Sequence, residues 1–151
     1  MPIMHRRRLL NLVDKERVRE AIVEAEKRTS GEICVSVARY FWGRVRPAAE
    51  RAFRRLGMAN TRQRNGILFF VVPARKRFVI LGDKGVHAKV GQDFWDGIAV
   101  SMAGHFRKGE FKEGILAGIK TAGDGLAVHF PFEPAADVNE LPNDVDTGGD
   151  T

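Results

Sequence analysis

The sequence has a single cysteine, Cys34, among its 151 residues. One cysteine excludes an intramolecular disulfide and is typical of proteins from a reducing compartment. No run approaches the roughly 20 apolar residues that cross a bilayer. The basic start MPIMHRRRLLNLV has an apolar part that is too short for a signal peptide. Together these absences predict a soluble, cytoplasmic protein.

The sequence also lacks the common linear motifs of nucleotide and ester chemistry. It contains no G-x-x-x-x-G-K-[ST] loop, no G-x-G-x-x-G fingerprint and no G-x-S-x-G elbow. It has no Cys/His cluster of the kind that binds zinc.

The charge is unevenly distributed along the chain. All 25 lysines and arginines lie before residue 133. Every charged residue from position 133 onward is an aspartate or a glutamate. These acids are Glu133, Asp137, Glu140, Asp144, Asp146 and Asp150. We predict a single α/β/α domain over residues 1–132 and an acidic, extended or disordered C-terminal tail over residues 133–151. Such a tail either folds back on the basic body or stays solvated.

A predicted β-hairpin dominates the middle of the sequence. Residues 67–72 (ILFFVV) and 78–81 (FVIL) are rich in β-branched and aromatic residues, and the turn 73–77 joins them. The first of these strands has no polar alternation, which indicates that both of its faces are covered by helices.

The other periodic segments predict helices over about 14–29, 47–57, 93–106 and 111–128, and a strand over 32–38. The first strand, its helix and the second strand form a βαβ unit, so these strands should be parallel. The third strand returns antiparallel. The predicted fold is a three-layer α/β/α sandwich, a small mixed sheet with helices on both faces.

Strand direction predicts an acidic rim at one end of this sheet. Parallel strands begin at the same edge, and the hairpin returns to it, so Glu32, Asn65 and Asp83 should meet there. The predicted ligands of a divalent cation, Ca²⁺ or Mg²⁺, are Glu32, Asp83, Asp93 and Asp96. Further rim candidates are Ser30, Asn65 and His87. Oxygen donors suit such hard cations.

Each of these rim residues also has an ordinary structural interpretation. Asp93 and Asp96 are typical of the first turn of a helix, where acids favour the positive end of the dipole. Glu32 and Asp83 can instead pair with nearby bases, and His87 is typical of a solvated loop.

A second candidate surface is rich in arginine. Its residues are Arg46, Arg51, Arg54, Arg55, Arg62 and Arg64. Such a cluster can bind an acidic protein or the phosphates of a nucleic acid, and the neighbouring aromatic run 40–42 can stack on bases. The alternative is a solvated helix face.

Six segments carry a resemblance to a known family. They are TSGEI (29–33), RNGILFFV (64–71), ILGDKGV (80–86), FWD (94–96), HFRKGEFKEGILAGI (105–119) and VNELPNDV (138–145). With these segments the chain resembles the TPM domain family, and in particular its short bacterial members that end in a motif like NELP-D. The resemblance implies an α/β/α sandwich.

The resemblance also suggests activities. Plant thylakoid relatives are described as acid phosphatases, and some relatives bind calcium. Many bacterial relatives carry a signal peptide and a membrane helix with a glycine-rich tail, and this sequence shows neither. The function it implies is divalent-cation binding with weak, metal-assisted phosphatase activity. The alternative function is a non-enzymatic interaction module that uses the arginine-rich helix.

Overall fold

A computed structural model describes residues 6–134 and 139–148. The elements in chain order are α1 (Arg6–Val13), α2 (Lys15–Glu26), β1 (Glu32–Val37), α3 (Val45–Arg55), β2 (Gly66–Val72), β3 (Arg77–Gly82), α4 (Lys84–His87), α5 (Gln92–Arg107) and α6 (Phe111–His129). Short 3-10 turns, Met58–Asn60 and Pro73–Arg75, precede β2 and join the hairpin.

The sheet has the order β1-β2-β3. β1 and β2 are parallel, with Glu32 opposite Gly66, and β2 and β3 are antiparallel, with Ile67 opposite Gly82. The mixed sheet predicted from strand direction is therefore confirmed.

Helices cover both faces of this sheet. Ile33, Val35 and Val37 of β1 face a large core formed with α1, α2, α5 and α6. Cys34, on the small-residue face of β1, belongs to a second core with α3. Every residue of β2 is buried, as its unbroken apolar run predicted. The α/β sandwich is confirmed.

Glycine allows close packing of α6. A Cβ at Gly118 would lie 2.6 Å from Met102 Sδ and 3.0 Å from Phe69 Cε1, and one at Gly114 would lie 2.6 Å from Phe106 Cδ1. These residues belong to α5 and β2, so the two glycines allow α6 to pack closely against both neighbours.

Two short helices were not predicted. The predicted helices begin only at residue 14, but the segment before Asp14 forms α1, whose Leu9 and Val13 are buried. Their spacing of four residues places both on one helix face. Asp14 separates α1 from α2 with a left-handed conformation (φ 54°) and caps α2, because its Oδ1 accepts from the Arg17 N–H. The second is α4, in a predicted loop.

Residues 139–148 of the acidic tail fold back onto β1. The Val37 N–H donates to the Asp146 carbonyl (2.7 Å), and the Asp146 N–H donates to the Val35 carbonyl (2.9 Å). Leu141 and Val145 are buried. Asp137, Val138 and Asp150 lie outside the described residues.

Within the part of the chain that the structure describes, no helix has the length and apolar character to cross a membrane. The cytoplasmic location stays a prediction.

Candidate functional site at the rim of the sheet

The ends of the three strands bring four of the predicted rim residues together. The Glu32 N–H donates to the Asn65 carbonyl (3.3 Å), and Asn65 Nδ2 donates to the Ser30 carbonyl (3.2 Å). The Asp83 N–H donates to the Gly66 carbonyl (2.9 Å). Glu32, Asn65 and Asp83 are all buried, so this rim consists of polar groups largely shielded from solvent.

Asp83 is held by an arginine. Arg64 Nε lies 2.5 Å from Asp83 Oδ2, and Arg64 Nη2 lies 2.8 Å from Oδ1. Oδ1 also accepts from the Lys84 N–H (2.8 Å), so Asp83 caps α4. Both carboxylate oxygens are therefore engaged, and a cation would have to replace Arg64 to bind there.

Asp93 and Asp96 lie in the first turns of α5, and both are exposed. Asp96 Oδ1 accepts from Gln92 Nε2 (2.9 Å). His87 lies against Trp95, with 4.9 Å between the ring centroids. Across residues 6–134 and 139–148, no three His, Cys, Asp or Glu side chains are placed to hold one metal ion. The four-carboxylate cation site stays a prediction.

Glu26 is a rim residue that the sequence reasoning missed. It ends α2, and its Oε2 accepts from the Ile33 N–H (2.9 Å). Its carboxyl group is hydrogen-bonded to that of Glu32. Burial, and then the negative charge of Glu32, raise the pKa of Glu26 to about 8, against the lowering effect of the Ile33 N–H. The two carboxyl groups therefore share a proton at neutral pH.

The position of Glu26 in the last turn of a helix is the signal in the sequence that could have indicated this carboxyl pair. Glu26 lies at the negative end of the α2 dipole, which disfavours a charged carboxylate. The turn of residues 27–31 then leads directly to Glu32 at the start of β1. An acid at such a position, close to a second acid at a strand start, points to a shared proton.

A cavity of about 130 Å³ lies beside the carboxyl pair. It is lined by Glu26, Thr29, Ser30, Gly31, Glu32, Phe132 and Asn139. The tail closes one side: the Glu140 N–H donates to Glu32 Oε1 (2.7 Å), and Asn139, with its amide oriented to satisfy its neighbours, donates to Oε2 (3.1 Å). Glu32 thus joins the rim to the tail.

One buried oxygen at the rim lacks a donor. The Asn65 side chain is on a residue that is only 1% exposed, and its Oδ1 accepts no hydrogen bond from the described residues. A buried polar atom without a hydrogen-bond partner lowers the stability of the folded state by about 1–3 kcal/mol. A water molecule or a cation would supply the missing partner.

The predicted arginine surface is partly occupied by acids. The Arg55 side chain is bound by Asp146 through two contacts of 3.0 and 2.7 Å, and the main-chain N–H of Arg62 donates to Glu140 Oε2 (3.0 Å). Arg64 binds Asp83. The exposed arginines on the rest of α3 are Arg46, Arg51 and Arg54.

Comparisons with known proteins agree with this fold. The family model of the TPM domain matches residues 3–125. The NMR structure of the BA42 protein from the psychrophilic bacterium Bizionia argentinensis superimposes with a TM-score of 0.84 at 40% identity, covering 89% of this chain and 92% of that one.

A more distant structure shares the fold alone. The N-terminal domain of a P. gingivalis protein superimposes with a TM-score of 0.62 at 17% identity, covering 88% of this chain and 99% of that one. No curated protein matches significantly.

Proposed function

The chain belongs to the TPM domain family, and we propose that it is a divalent-cation-binding domain of that family. The proposed site is the Glu26–Glu32 carboxyl pair and the cavity beside it, with Ca²⁺ or Mg²⁺ as the ion. The observation that carries the proposal is the cavity lined by these two carboxyl groups, where burial and the charge of Glu32 raise the pKa of Glu26 to about 8.

A shared proton marks a position where positive charge is needed. Two carboxylates in contact repel each other unless a proton or a cation lies between them. Most of the polar side chains that line the cavity carry oxygens, which hard cations prefer. Cation binding would then release the proton of Glu26.

Of the four carboxylates predicted from the sequence, Glu32 keeps its role in this proposal. Asp83 is neutralised by Arg64, which makes it a weaker attractor of cations. Asp93 and Asp96 lie in the exposed first turns of α5, and Asp93 provides a control substitution.

The proposal also includes weak phosphatase activity at this cation site. A bound divalent ion can polarise a phosphoryl oxygen or activate a water molecule. The chain's own contribution is to hold that ion with Glu32 while Glu26 exchanges its proton. Hydrolysis of p-nitrophenyl phosphate with and without Ca²⁺ or Mg²⁺ tests this part. Equal rates for wild type and Glu32→Gln would contradict it.

Calorimetric titration tests the cation site itself. Ca²⁺ and Mg²⁺ are titrated separately into wild type, Glu32→Gln and Asp93→Asn near pH 7, in two buffers with different ionisation enthalpies. We expect the wild type to bind and release a proton, Asp93→Asn to behave alike, and Glu32→Gln to give no binding heat. An absence of wild-type heat, or equal heat from Glu32→Gln, would refute the site.

A second candidate function is a non-enzymatic module that binds an acidic protein or nucleic acid through α3. The Asp146–Arg55 pair favours it, because the acidic tail already occupies part of the arginine surface. We expect Asp146→Asn to bind a fluorescent polyglutamate more tightly than wild type at low salt, and Arg51→Glu to bind it more weakly. Unchanged anisotropy curves would contradict this function.

A further inference from the structure

β3 leaves one edge of the sheet open. The opposite edge, at β1, is covered by the tail through Asp146. No described strand lies beyond β3. The Asp83 N–H bonds to the Gly66 carbonyl, so by antiparallel alternation the backbone of Phe78, Ile80 and Gly82 directs its N–H and C=O groups outward.

A groove runs along this outer edge, between α3 and α5. It consists of two adjoining depressions of about 390 Å³ each. All residues from 78 to 82 line it, together with Trp95 from α5 and Phe53 from α3. A Cβ at Gly82 would lie 2.2 Å from Trp95 Cη2, so the glycine allows the indole ring to lie directly against the strand.

The two walls of the groove differ in chemistry. The α3 wall carries Arg46 and Arg54, both exposed, with Glu50 4.0 Å from Arg46. The α5 wall presents Trp95 and Ala99, with the polar Gln92 and Asp96 in the first turns of the helix. An added strand would direct alternate side chains toward each wall. Its residues on the α3 side would meet arginines, and those on the α5 side would meet apolar surface.

We propose that the outer edge of β3 binds an extended peptide in which acidic and apolar residues alternate, as a fourth strand of the sheet. Main-chain hydrogen bonds to Phe78, Ile80 and Gly82 would give affinity, and the two walls would give specificity. This inference rests on the second candidate function, which it deepens by naming the partner class and the surface.

Two other occupants fit less well. The described part of the acidic tail lies on β1, at the opposite edge of the sheet. A second copy of the chain paired through β3 would bring the same arginine-bearing wall, Arg46 and Arg54, into the interface from both sides. Like charges at close range oppose such a pairing, whereas an acidic strand complements the wall.

A peptide probe tests the main-chain pairing. The probe is a fluorescein-labelled peptide of about eight residues that alternates glutamate and valine, and its counterpart has lysine in place of glutamate. Two further versions are N-methylated at every valine or at every glutamate. We expect the parent to bind and the lysine peptide to fail. One N-methylated version should lose roughly tenfold or more in affinity, because only one set of N–H groups faces β3.

Two arginine variants locate the peptide. Arg54 lines the groove, whereas Arg51 lies on the same helix outside its lining. We expect Arg54→Glu to weaken binding several-fold more than Arg51→Glu, which changes only the overall charge of the arginine surface. Light scattering at the same protein concentration should show a monomer.

Specific results would overturn the inference. If both N-methylated peptides bind like the parent, or if both variants weaken binding equally, the peptide binds by charge alone. The second candidate function would then be retained, and the proposed peptide site at the outer edge of β3 would be rejected. Absence of parent binding, or a protein dimer that the peptide does not displace, would also refute it.

Discussion

Asp146 binds Arg55 with both carboxylate oxygens, Oδ1 at 3.0 Å from Nη1 and Oδ2 at 2.7 Å from Nη2, across 91 positions of sequence. Oδ2 also accepts from Ser36 Oγ (2.7 Å). Burial alone would raise the pKa of Asp146, but the hydrogen bonds from Arg55 and Ser36 outweigh burial and hold the pKa below its usual range. The pair fixes the tail against α3 and β1.

Removing this charge should destabilise the fold. Since the folded pKa of Asp146 is lowered, its contribution is present above the unfolded pKa of about 3.8 and is lost as the pH falls below it. We expect Asp146→Asn to lower the free energy of unfolding by about 1–2 kcal/mol at pH 7 in urea titrations.

The tail offers a matched control. Asp144 carries the same charge, but its side chain is 83% exposed in its pair with Arg19. Asp144→Asn should therefore change stability by less than about 0.5 kcal/mol. Equal effects of the two substitutions would mean that the Asp146 contacts do not stabilise the fold.

The Glu26 carboxyl should make stability fall as the pH rises. Its folded pKa is about 8 and its reference value is 4.5, so between these values the folded state holds a proton that the unfolded state has released. Stability then decreases with pH across that window, by at most about 1.4 kcal/mol per pH unit.

Urea denaturation between about pH 5 and about pH 8 measures this slope. We expect Glu26→Gln, which cannot titrate, to remove most of it. The exposed Glu24, two residues earlier in α2, provides the control, since Glu24→Gln should leave the slope unchanged. The same slope in wild type and Glu26→Gln would refute the shared proton.

The thiol of Cys34 should not react with thiol reagents until the tail is displaced. Burial, and then the negative charges of Glu26, Glu32 and Asp146, raise the pKa of its thiol to about 12. Cys34 Sγ lies 3.9 Å from the Pro142 carbonyl oxygen, in the core that includes Leu141. We expect negligible reaction with Ellman's reagent in the native protein and rapid reaction in urea.

A chain truncated after residue 134 separates the role of the tail from that of global unfolding. We expect its Cys34 to react clearly faster than wild type while circular dichroism retains the helical signal. If the truncated chain is folded and its thiol remains as slow as in wild type, the tail does not shield Cys34.

Gly85 should not tolerate a side chain. A Cβ there would lie 2.2 Å from the Gln63 carbonyl oxygen and 2.5 Å from that of Arg64, and neither backbone group can rotate away. We expect Gly85→Ala to lower the free energy of unfolding by about 1–3 kcal/mol.

A second glycine serves as the reference for that substitution. Gly97, in α5, has open space around its Cβ position. We therefore expect Gly97→Ala to stabilise by up to about 1 kcal/mol through helix propensity. If both substitutions have the same effect in thermal melts, the approach of Gly85 to the backbone at Gln63 and Arg64 is not tight.

Strand direction accounts for what the sequence could predict about the rim. The apolar run of β2 and the turn after it define the hairpin, and the hairpin places Asp83 beside Gly66 and Glu32. That inference depends only on the course of the backbone, and the spacing of apolar residues together with the turn residues predicts this course. For this reason the topology and the meeting of Ser30, Glu32, Asn65 and Asp83 followed from the sequence.

Side-chain partners depended on contacts that no local pattern encodes. Arg64 is adjacent to the rim in sequence, but the sequence did not specify which base would bind Asp83. Glu26 was hidden within a charged helix face, and its pairing with Glu32 depends on how α2 packs against β1. The docking of Asp146 joins residues 110 positions apart, beyond the range of any periodicity.

Because Ser36 and Asp146 are 110 positions apart, they are synthesised at different times. During synthesis at about 5–20 residues per second, β1 leaves the ribosome roughly 5–20 s before Asp146 is available to cover it. From the emergence of β3 until that of the tail, the nascent sheet presents two uncovered edges, both able to pair with another nascent chain. The acidic tail therefore covers the β1 edge only late in synthesis.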